Sequence, residues 1–328
     1  MRSFESKRFL FVAPPFFGYH TEIINEIESQ GGYVDWIPDR PFDSSFGKAF
    51  ARFLPQFAAK NADLIYRRLL NTFGSTSYDY VFVINGQTLS RSFLTALKHD
   101  FSSAYFVLYL WDSVANRSHI LRNFYLFDRV LSFDPSDVSF YGLTLRPLFY
   151  GRQYVDSRSN GTFSFDLSFV GSVHSDRYQV VNRLKLALPS MINSFFFLYI
   201  QSLWLFYFYR CYLPGMRSAS LNEFSFKPLS SSKLSKTFAC SRSILDIAHP
   251  HQSGLTMRTF ETLGAHKKLI TTNSSVREYD FYDERNIAVI DRCSPIVDPD
   301  FLSTDFSPPE SSIMDKYSVS AWIHEVIY

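Results

Sequence analysis

The sequence predicts an α/β chain made of two consecutive parallel-sheet domains, and three observations carry that expectation. Short continuous apolar runs alternate with longer amphipathic stretches along most of the chain, as in parallel strands buried on both faces by crossover helices. The 328 residues exceed one small core and suit two domains of about 150 residues each. A polar, Gly- and Ser-bearing stretch, YGRQYVDSRSNGTFS at 150–164, separates the two series of alternating runs. The expected division is residues 1–150, a linker at 151–164, a second domain at 165–312, and a closing helix at 313–328 able to fold back on either domain.

Each element has its own signal. RFLFVAP (8–14) reads as a strand, and HTEIINEIESQGG as an amphipathic helix that Gly31 and Gly32 stop. YVDWIP is a second strand, followed by a long helical stretch from Phe46 to Phe73 that Pro55 interrupts. YDYVFVING (78–86) and AYFVLYLWD (104–112) are strands around the helix LSRSFLTALKHD. HILRNFYLFD is helical, and RVLSFDP and TLRPLFY close the first half. The second half repeats the theme. FDLSFVGS, SFFFLYI, SILDIAH, KKLITTN and NIAVID read as strands. DRYQVVNRLKLAL, SSSKLSKTFACS and GLTMRTFETLG read as the helices between them.

Composition excludes several classes. Hydrophobic residues make up 46% and charged residues 20%, which allows two cores and argues against wholesale disorder. A net charge of +2, with no Lys/Arg block, gives no electrostatic footprint for nucleic acid. The cysteines Cys211, Cys240 and Cys293 are odd in number and lack metal-ligand spacing, as expected of reduced thiols in a cytoplasmic protein. FLFVA is cut short by two prolines with no small-residue cleavage site after it, so it reads as a first strand rather than a signal peptide.

In open parallel sheets, ligands bind beyond the carboxyl ends of strands. The residues to examine are therefore Pro15–His20, Asn85–Gln87, Trp111–Ser113, Asp134, Gly171–Arg177 and His249–Thr256. The strongest group is 249–264, where Ser253, Gly254, Leu255 and Thr256 open a helix whose first amides form an anion site. Met257, Phe260 and Gly264 share its inner face. Glu261 lies about 40° from Met257, at roughly 100° per residue, with Arg258 on the same side one turn earlier. Periodicity leaves open whether Arg258 and Glu261 are a solvated i,i+3 pair or a ligand contact. In a second group, Gly171, Ser172, His174, Ser175 and Arg177 follow a strand and open a helix. The glycine would let phosphate approach the backbone, and the hydroxyls and the arginine would donate to it, though Ser175 is equally suited to be a plain N-cap. In the first half, His20 follows strand one and Asp112 ends strand four, where a carboxylate could deprotonate a hydroxyl, cap a helix or form a salt bridge. His119 and Asp134 are lesser candidates of the same kind.

These pieces resemble the GT-B glycosyltransferases. The helix reads Gly-x-x-x-Arg-x-x-Glu-x-x-Gly and runs into KKLITTN, similar to the closing pattern of the group-1 type. Over nearly the whole chain the order of FFGY, YLWDS, LSFDP, SFVGSVHSDRY, FSFKPL and LTMRTFETLG resembles bacterial capsule and lipopolysaccharide biosynthesis proteins. The resemblance implies two Rossmann-like domains facing across a cleft, with a nucleotide-diphosphate sugar held by the second domain and a glycan or lipid-linked acceptor by the first. Carried over by motif, Glu261 would hold the donor ribose. Gly254–Thr256 and Arg258 would lie near the diphosphate or sugar, Ser172 and Arg177 on phosphate oxygens, and Lys227 near the nucleotide. Many retaining members carry a second Glu eight positions before the ribose Glu, and here that position is Ser253. An inverting mechanism with a side-chain base is thereby open, with Asp112 as the base and His20 beside it as a second catalytic candidate. No cofactor and no metal are expected.

SFFFLYIQSLWLFYFYRCYLP (194–214) is too interrupted by Gln201, Ser202 and Arg210 for a membrane span of about 20 apolar residues. It reads as a central strand and a covering helix. Alternatively, Trp204, Phe206, Tyr207 and Phe208 form a surface, within 195–210, that rests on the inner face of a membrane. Two other functions stay open: a nucleotide-sugar epimerase of the same fold, and a non-catalytic, membrane-associated assembly partner.

Overall fold

The structure, a computed structural model, describes residues 3–39, 55–74, 77–116, 118–156, 163–250 and 252–328. Part of the helix expected from Phe46, the middle of the expected linker, and His251 lie outside the described residues.

The chain divides into two compact units, Met1–Pro147 with Val319–Tyr328, and Leu148–Ser318. The first unit holds strands β1 (Arg8–Ala13), β2 (Tyr33–Pro38), β3 (Tyr80–Ile84), β4 (Tyr105–Leu110), β5 (Arg129–Ser132) and the two-residue β6 (Thr144–Leu145). They form one parallel sheet in the order β2-β1-β3-β4-β5-β6. Alternate residues explain how it is buried on both faces. Leu10 and Val12 pack with Val81, Val83, Leu108 and the helix Arg91–Asp100 in one core cluster. On the other face Trp322, fully buried on the helix Val319–Ile327, meets the Tyr109 ring edge-on at 4.8 Å and Phe82 at 6.1 Å. The segment expected as one closing helix is two, Ser311–Lys316 in the second unit and Val319–Ile327 in the first.

The second unit holds β7 (Phe165–Ser172), β8 (Ser194–Tyr199), the two-residue β9 (Phe224–Ser225), β10 (Ser241–Asp246), β11 (Lys268–Thr271) and β12 (Ile287–Val289). They form a parallel sheet in the order β12-β11-β10-β7-β8-β9. SFFFLYI is therefore not a central strand. It is next to the edge, with only β9 beyond it, and Phe195, Phe196 and Phe197 stay half-buried.

Strand order reverses between β1 and β3 in the first sheet and between β7 and β10 in the second. At such switch points the chain leaves adjacent strands in opposite directions, which opens a crevice at their carboxyl ends.

Candidate functional site

The crevice of the second unit is built around Arg177, the first residue of the helix Arg177–Ala187. Its Nε donates to the Ile247 carbonyl at 2.7 Å and its Nη1 to the Ser172 carbonyl at 3.3 Å. One guanidinium thus ties the end of β7 to the end of β10, which the fork geometry of arginine allows and a lysine ammonium does not. Burial lowers Arg177 to about 10, so it stays charged at neutral pH. Arg292, beyond β12, lines the same strand ends. It donates to both Asp176 oxygens at 2.8 Å and to the Ala248 carbonyl.

The helix Met257–Gly264 is aimed by Asp246, a residue the sequence reading passed over. Asp246 is the last residue of β10, and its Oδ2 accepts from the hydroxyls of Thr256 at 2.8 Å and Thr259 at 2.9 Å. Burial pushes the Asp246 carboxyl up, while the two threonines, Arg177 and Arg258 pull it down. Because Thr256, the N-cap, gives its hydroxyl to Asp246, its side chain makes no cap bond to the first-turn amides. That leaves the positive end of the helix open to an anion. The loop before it is held from below by Asn273, whose Nδ2 donates to the carbonyls of Ser253 and Gly254, both at 3.2 Å. Leu255 is buried and anchors the loop apolarly.

Glu261 is fully buried. Arg258 Nη1 donates to its Oε2 at 2.6 Å, and the Tyr154 hydroxyl donates to its Oε1 at 2.6 Å. Arg258 also donates from Nη2 to the Val170 carbonyl at 3.1 Å and lies over the Phe238 ring. The i,i+3 pair exists, but it is an interior pair with a tyrosine lid, not a solvated flank. Thr259 through Gly264 are all buried: Tyr150 packs on Gly264 of the inner face, and the Tyr154 hydroxyl covers Glu261 at its edge. A Cβ on Gly264 would come 2.5 Å from Tyr150 Cγ, so that glycine is required by packing.

Several expected roles change. A Cβ at Gly171 would meet the Phe169 ring at 2.7 Å, so this glycine answers first to its neighbour in the core. Ser175 is not the N-cap. That position is Asp176, and Ser175 sits in the left-handed region at φ 50°. His174 faces the His249 ring, and burial, then Arg177 and His249, push it down to about 3, so it is a neutral imidazole rather than a phosphate cation. Lys227 is exposed just beyond β9, two strand spacings or ~10 Å from β7, and the structure does not gather it into the arginine cluster. The chain carries one Asp-x-Asp tripeptide, the pattern of metal-using transferases, at Asp298-Pro299-Asp300. Asp298 caps the short helix Pro299–Ser303, accepting from the Asp300 amide at 2.9 Å, which is a structural role.

The crevice of the first unit carries different groups. After β1 the backbone turns through Phe17 and Gly18, at φ 47° and 84°, into the helix Tyr19–Ser29. His20 in its first turn stacks on Trp36 at 4.8 Å. Its Nδ1 is buried without a hydrogen-bond partner, and burial lowers its pKa, so it stands as a neutral imidazole. Beyond β3, Asn85 takes the left-handed φ of 60° and donates from Nδ2 to Asp112 Oδ2 at 2.9 Å. Asn85 Oδ1 in turn accepts from the Trp111 amide at 3.1 Å. Asp112 is thus positioned by Asn85. Strand β3 separates β1 from β4, which puts the two exits ~10 Å apart. Phe16 and Phe17 are exposed beside them, and Tyr19 meets the Trp111 ring edge-on at 6.3 Å. Asp134 proves to be the N-cap of the helix Pro135–Tyr141, accepting from the Ser136 amide at 2.9 Å. His119 lies in the 3-10 segment Ser118–Leu126.

No protein-family model matches the sequence, and no curated protein matches it. Solved structures do match. HepE (Alr3699) of Anabaena, in complex with UDP and glucose, aligns over 98% of this chain and 99% of its own at 11% identity, TM-score 0.59. The catalytic domain of starch synthase IV from Arabidopsis thaliana, bound to ADP and acarbose, aligns over 98% of each chain at 9% identity, TM-score 0.53. UDP-GlcNAc 2-epimerase from Neisseria meningitidis, bound to UDP-GlcNAc, aligns over 98% of each at 10% identity, TM-score 0.51. At these identities the likeness is one of fold, and this chain has the GT-B fold, two parallel-sheet Rossmann-like domains in one polypeptide.

Proposed function

We propose that the chain is a glycosyltransferase that takes its sugar from a nucleotide-diphosphate donor. The observation that carries the reading is the β7/β10 crevice, where an uncapped helix N-terminus and Arg177 lie at one switch point. A diphosphate leaving group needs that arrangement, because negative charge builds on its bridging oxygen as the bond to the sugar breaks. Arg258 and Arg292 bring further positive charge, and Asp176, Asp246 and Glu261 offset it locally. The net pull on an anion then comes from the oriented amides and from the guanidinium donors not spent on carbonyls.

In this reading the acceptor hydroxyl attacks the anomeric carbon, the carbon–oxygen bond to the diphosphate breaks, and the electron pair leaves with the nucleoside diphosphate. The hydroxyl proton goes to a general base, for which the chain offers His20 and Asp112. His20, a neutral imidazole whose Nδ1 is buried, would take it on Nε2, the nitrogen 3.4 Å from the Thr21 hydroxyl. Asp112, held by Asn85, is suited to accept directly or to orient the acceptor. Glu261 reaches a donor ribose only if the Tyr154 hydroxyl gives up Oε1 or shares it. A glycan or lipid-linked acceptor in capsule or lipopolysaccharide assembly, and independence of metal, are the finer form of the proposal suggested by the motif resemblance. HepE, bound to UDP and glucose, and the starch synthase domain, bound to ADP, support a uridine or adenine nucleotide as the first to try.

Calorimetric titration with UDP, ADP and GDP tests the reading. One of them should bind, Arg177→Ala should weaken it by on the order of tenfold or more, about 1.4 kcal/mol, and His20→Asn should leave affinity unchanged while abolishing transfer. Failure of all three to bind at millimolar concentration would overturn it. Conversion of a nucleotide sugar to its epimer without acceptor would move the assignment to the epimerase reading.

A further inference from the structure

The helix Leu203–Tyr212, between β8 and β9, packs Leu205, Phe206 and Tyr209 on the core and leaves its other apolar residues facing out. Among the described residues of this helix Phe206 alone is buried, at 0% exposure. Trp204 and Tyr212 are 68% and 70% exposed, and Leu203, Tyr207 and Phe208 are also exposed. Trp204, Phe208 and Tyr212 follow one another at four-residue spacing and so form one ridge. The ring centroids of Trp204 and Phe208 lie 6.4 Å apart, and those of Phe208 and Tyr212 lie 4.5 Å apart. A contiguous exposed apolar patch of this kind marks an interaction surface.

Charge selects the occupant. From Arg177 through Asn222 the sequence carries five Lys or Arg and not one Asp or Glu, in a chain with 31 acidic residues. Arg210 and Arg217 are exposed at the C-terminal end of this helix, Arg210 on the flank where its guanidinium lies over the Phe206 ring, and Arg210 Nη2 donates to the Arg217 carbonyl at 3.3 Å, which keeps the two together. Strands β7, β8 and β9 follow one another in the sheet, so right-handed crossovers put the helices Arg177–Ala187 and Leu203–Tyr212 on the same face. The exposed Arg183 and Lys185 of the first helix belong to that face. Aromatic rings with polar tips, flanked by these exposed cations and with the neighbouring Glu223 engaged by the Tyr178 hydroxyl at 3.0 Å, suit the headgroup zone of an anionic bilayer. A second protein chain fits less well, since one side of a ten-residue helix, ~15 Å long and ~10 Å wide, presents only roughly 150 Å² in projection, short of the ~800 Å² per partner that a stable interface buries.

We infer that this face is a peripheral docking surface for an anionic lipid bilayer, with Trp204, Tyr207, Phe208 and Tyr212 entering the interface and Arg210 and Arg217 meeting headgroup phosphates. No described helix is long and apolar enough to cross a membrane, so the contact is one of lying on the surface. The inference does not depend on the transferase reading, and its test needs no turnover.

The full chain is sedimented with vesicles of phosphatidylcholine alone and of phosphatidylcholine mixed with phosphatidylglycerol. Wild type should co-sediment with the anionic vesicles, with a blue shift of tryptophan emission that Trp204→Phe reduces, and should leave the neutral ones by comparison unbound. Trp204→Ser/Phe208→Ser/Tyr212→Ser and, separately, Arg210→Gln/Arg217→Gln should each weaken binding by on the order of tenfold. The arginine pair leaves the packing of Phe206 in place and keeps the test valid if the aromatic variant unfolds. Equal binding to both vesicle types, no binding to either, or binding unchanged in both variants would overturn the inference. So would a wild-type dimer by light scattering that the aromatic variant converts to monomer.

Discussion

The two switch points of this chain share a topology and differ in chemistry. Where β1 and β3 part, the exits carry a neutral His20, the Asn85–Asp112 pair and a wall of aromatic rings. Where β7 and β10 part, the exits carry Arg177, Arg258 and Arg292, each bound to a strand-end carbonyl, and three carboxylates that hold the arginines and threonines in place. The first suits an uncharged hydroxylic ligand and a proton transfer. The second suits an anion. The same fold rule places both crevices, and only the residues at the strand ends decide what each can bind.

The sharpest break in that contrast is at Glu261. Replacing it by Ala strips Arg258 and the Tyr154 hydroxyl of their buried partner, and the loss should be about 3–5 kcal/mol in denaturant unfolding. Glu261→Gln, which keeps the shape, separates structure from ligand contact. If Glu261 also holds a ribose, this variant should lose affinity for a nucleoside diphosphate and keep its affinity for inorganic pyrophosphate. Equal losses for both would assign it to scaffold alone.

An effect of comparable size concerns pH. His174 titrates at about 3 in the folded protein, below its ordinary 6.5, so the unfolded chain takes up the proton first as pH falls. The stability His174 contributes is complete above pH 6.5 and is lost as pH falls toward 3, at up to about 1.4 kcal/mol per pH unit. His174→Gln should flatten that part of the stability curve, and an unchanged slope would mean the ring is solvated. Smallest of all, Asp134→Ala in the first unit should cost about 1 kcal/mol through the lost N-cap and leave turnover of the folded protein unchanged.

The alternation of runs was enough to read the strands of both sheets and most of their helices. The edge strand β9 and the helix Pro135–Tyr141 were not readable, being too short for a periodic signal. At the site, Arg177 was legible because a glycine, hydroxyls and an arginine follow a strand. Asp246 had a signal that was passed over, a lone carboxylate inside the apolar run SILDIAH. Tyr154 had none. It lies 107 positions from Glu261 in a stretch whose polarity reads as linker, and only the fold brings its hydroxyl onto that carboxylate. The aromatic helix shows the reverse, since composition announced an apolar segment but could not say which rings face inward. Phe206 and Tyr209 do, while Trp204, Tyr207, Phe208 and Tyr212 do not.

The central claim is that the β7/β10 crevice grips a nucleoside diphosphate through Arg177. Its most direct test is a side-by-side calorimetric titration of wild type, Arg177→Lys and Asp112→Asn with the nucleoside diphosphate that binds. The account predicts that Arg177→Lys weakens binding by on the order of tenfold, since an ammonium cannot span the Ser172 and Ile247 carbonyls while facing the ligand, and that Asp112→Asn binds as wild type does. Equal affinity in all three proteins, or a loss confined to Asp112→Asn, would contradict it.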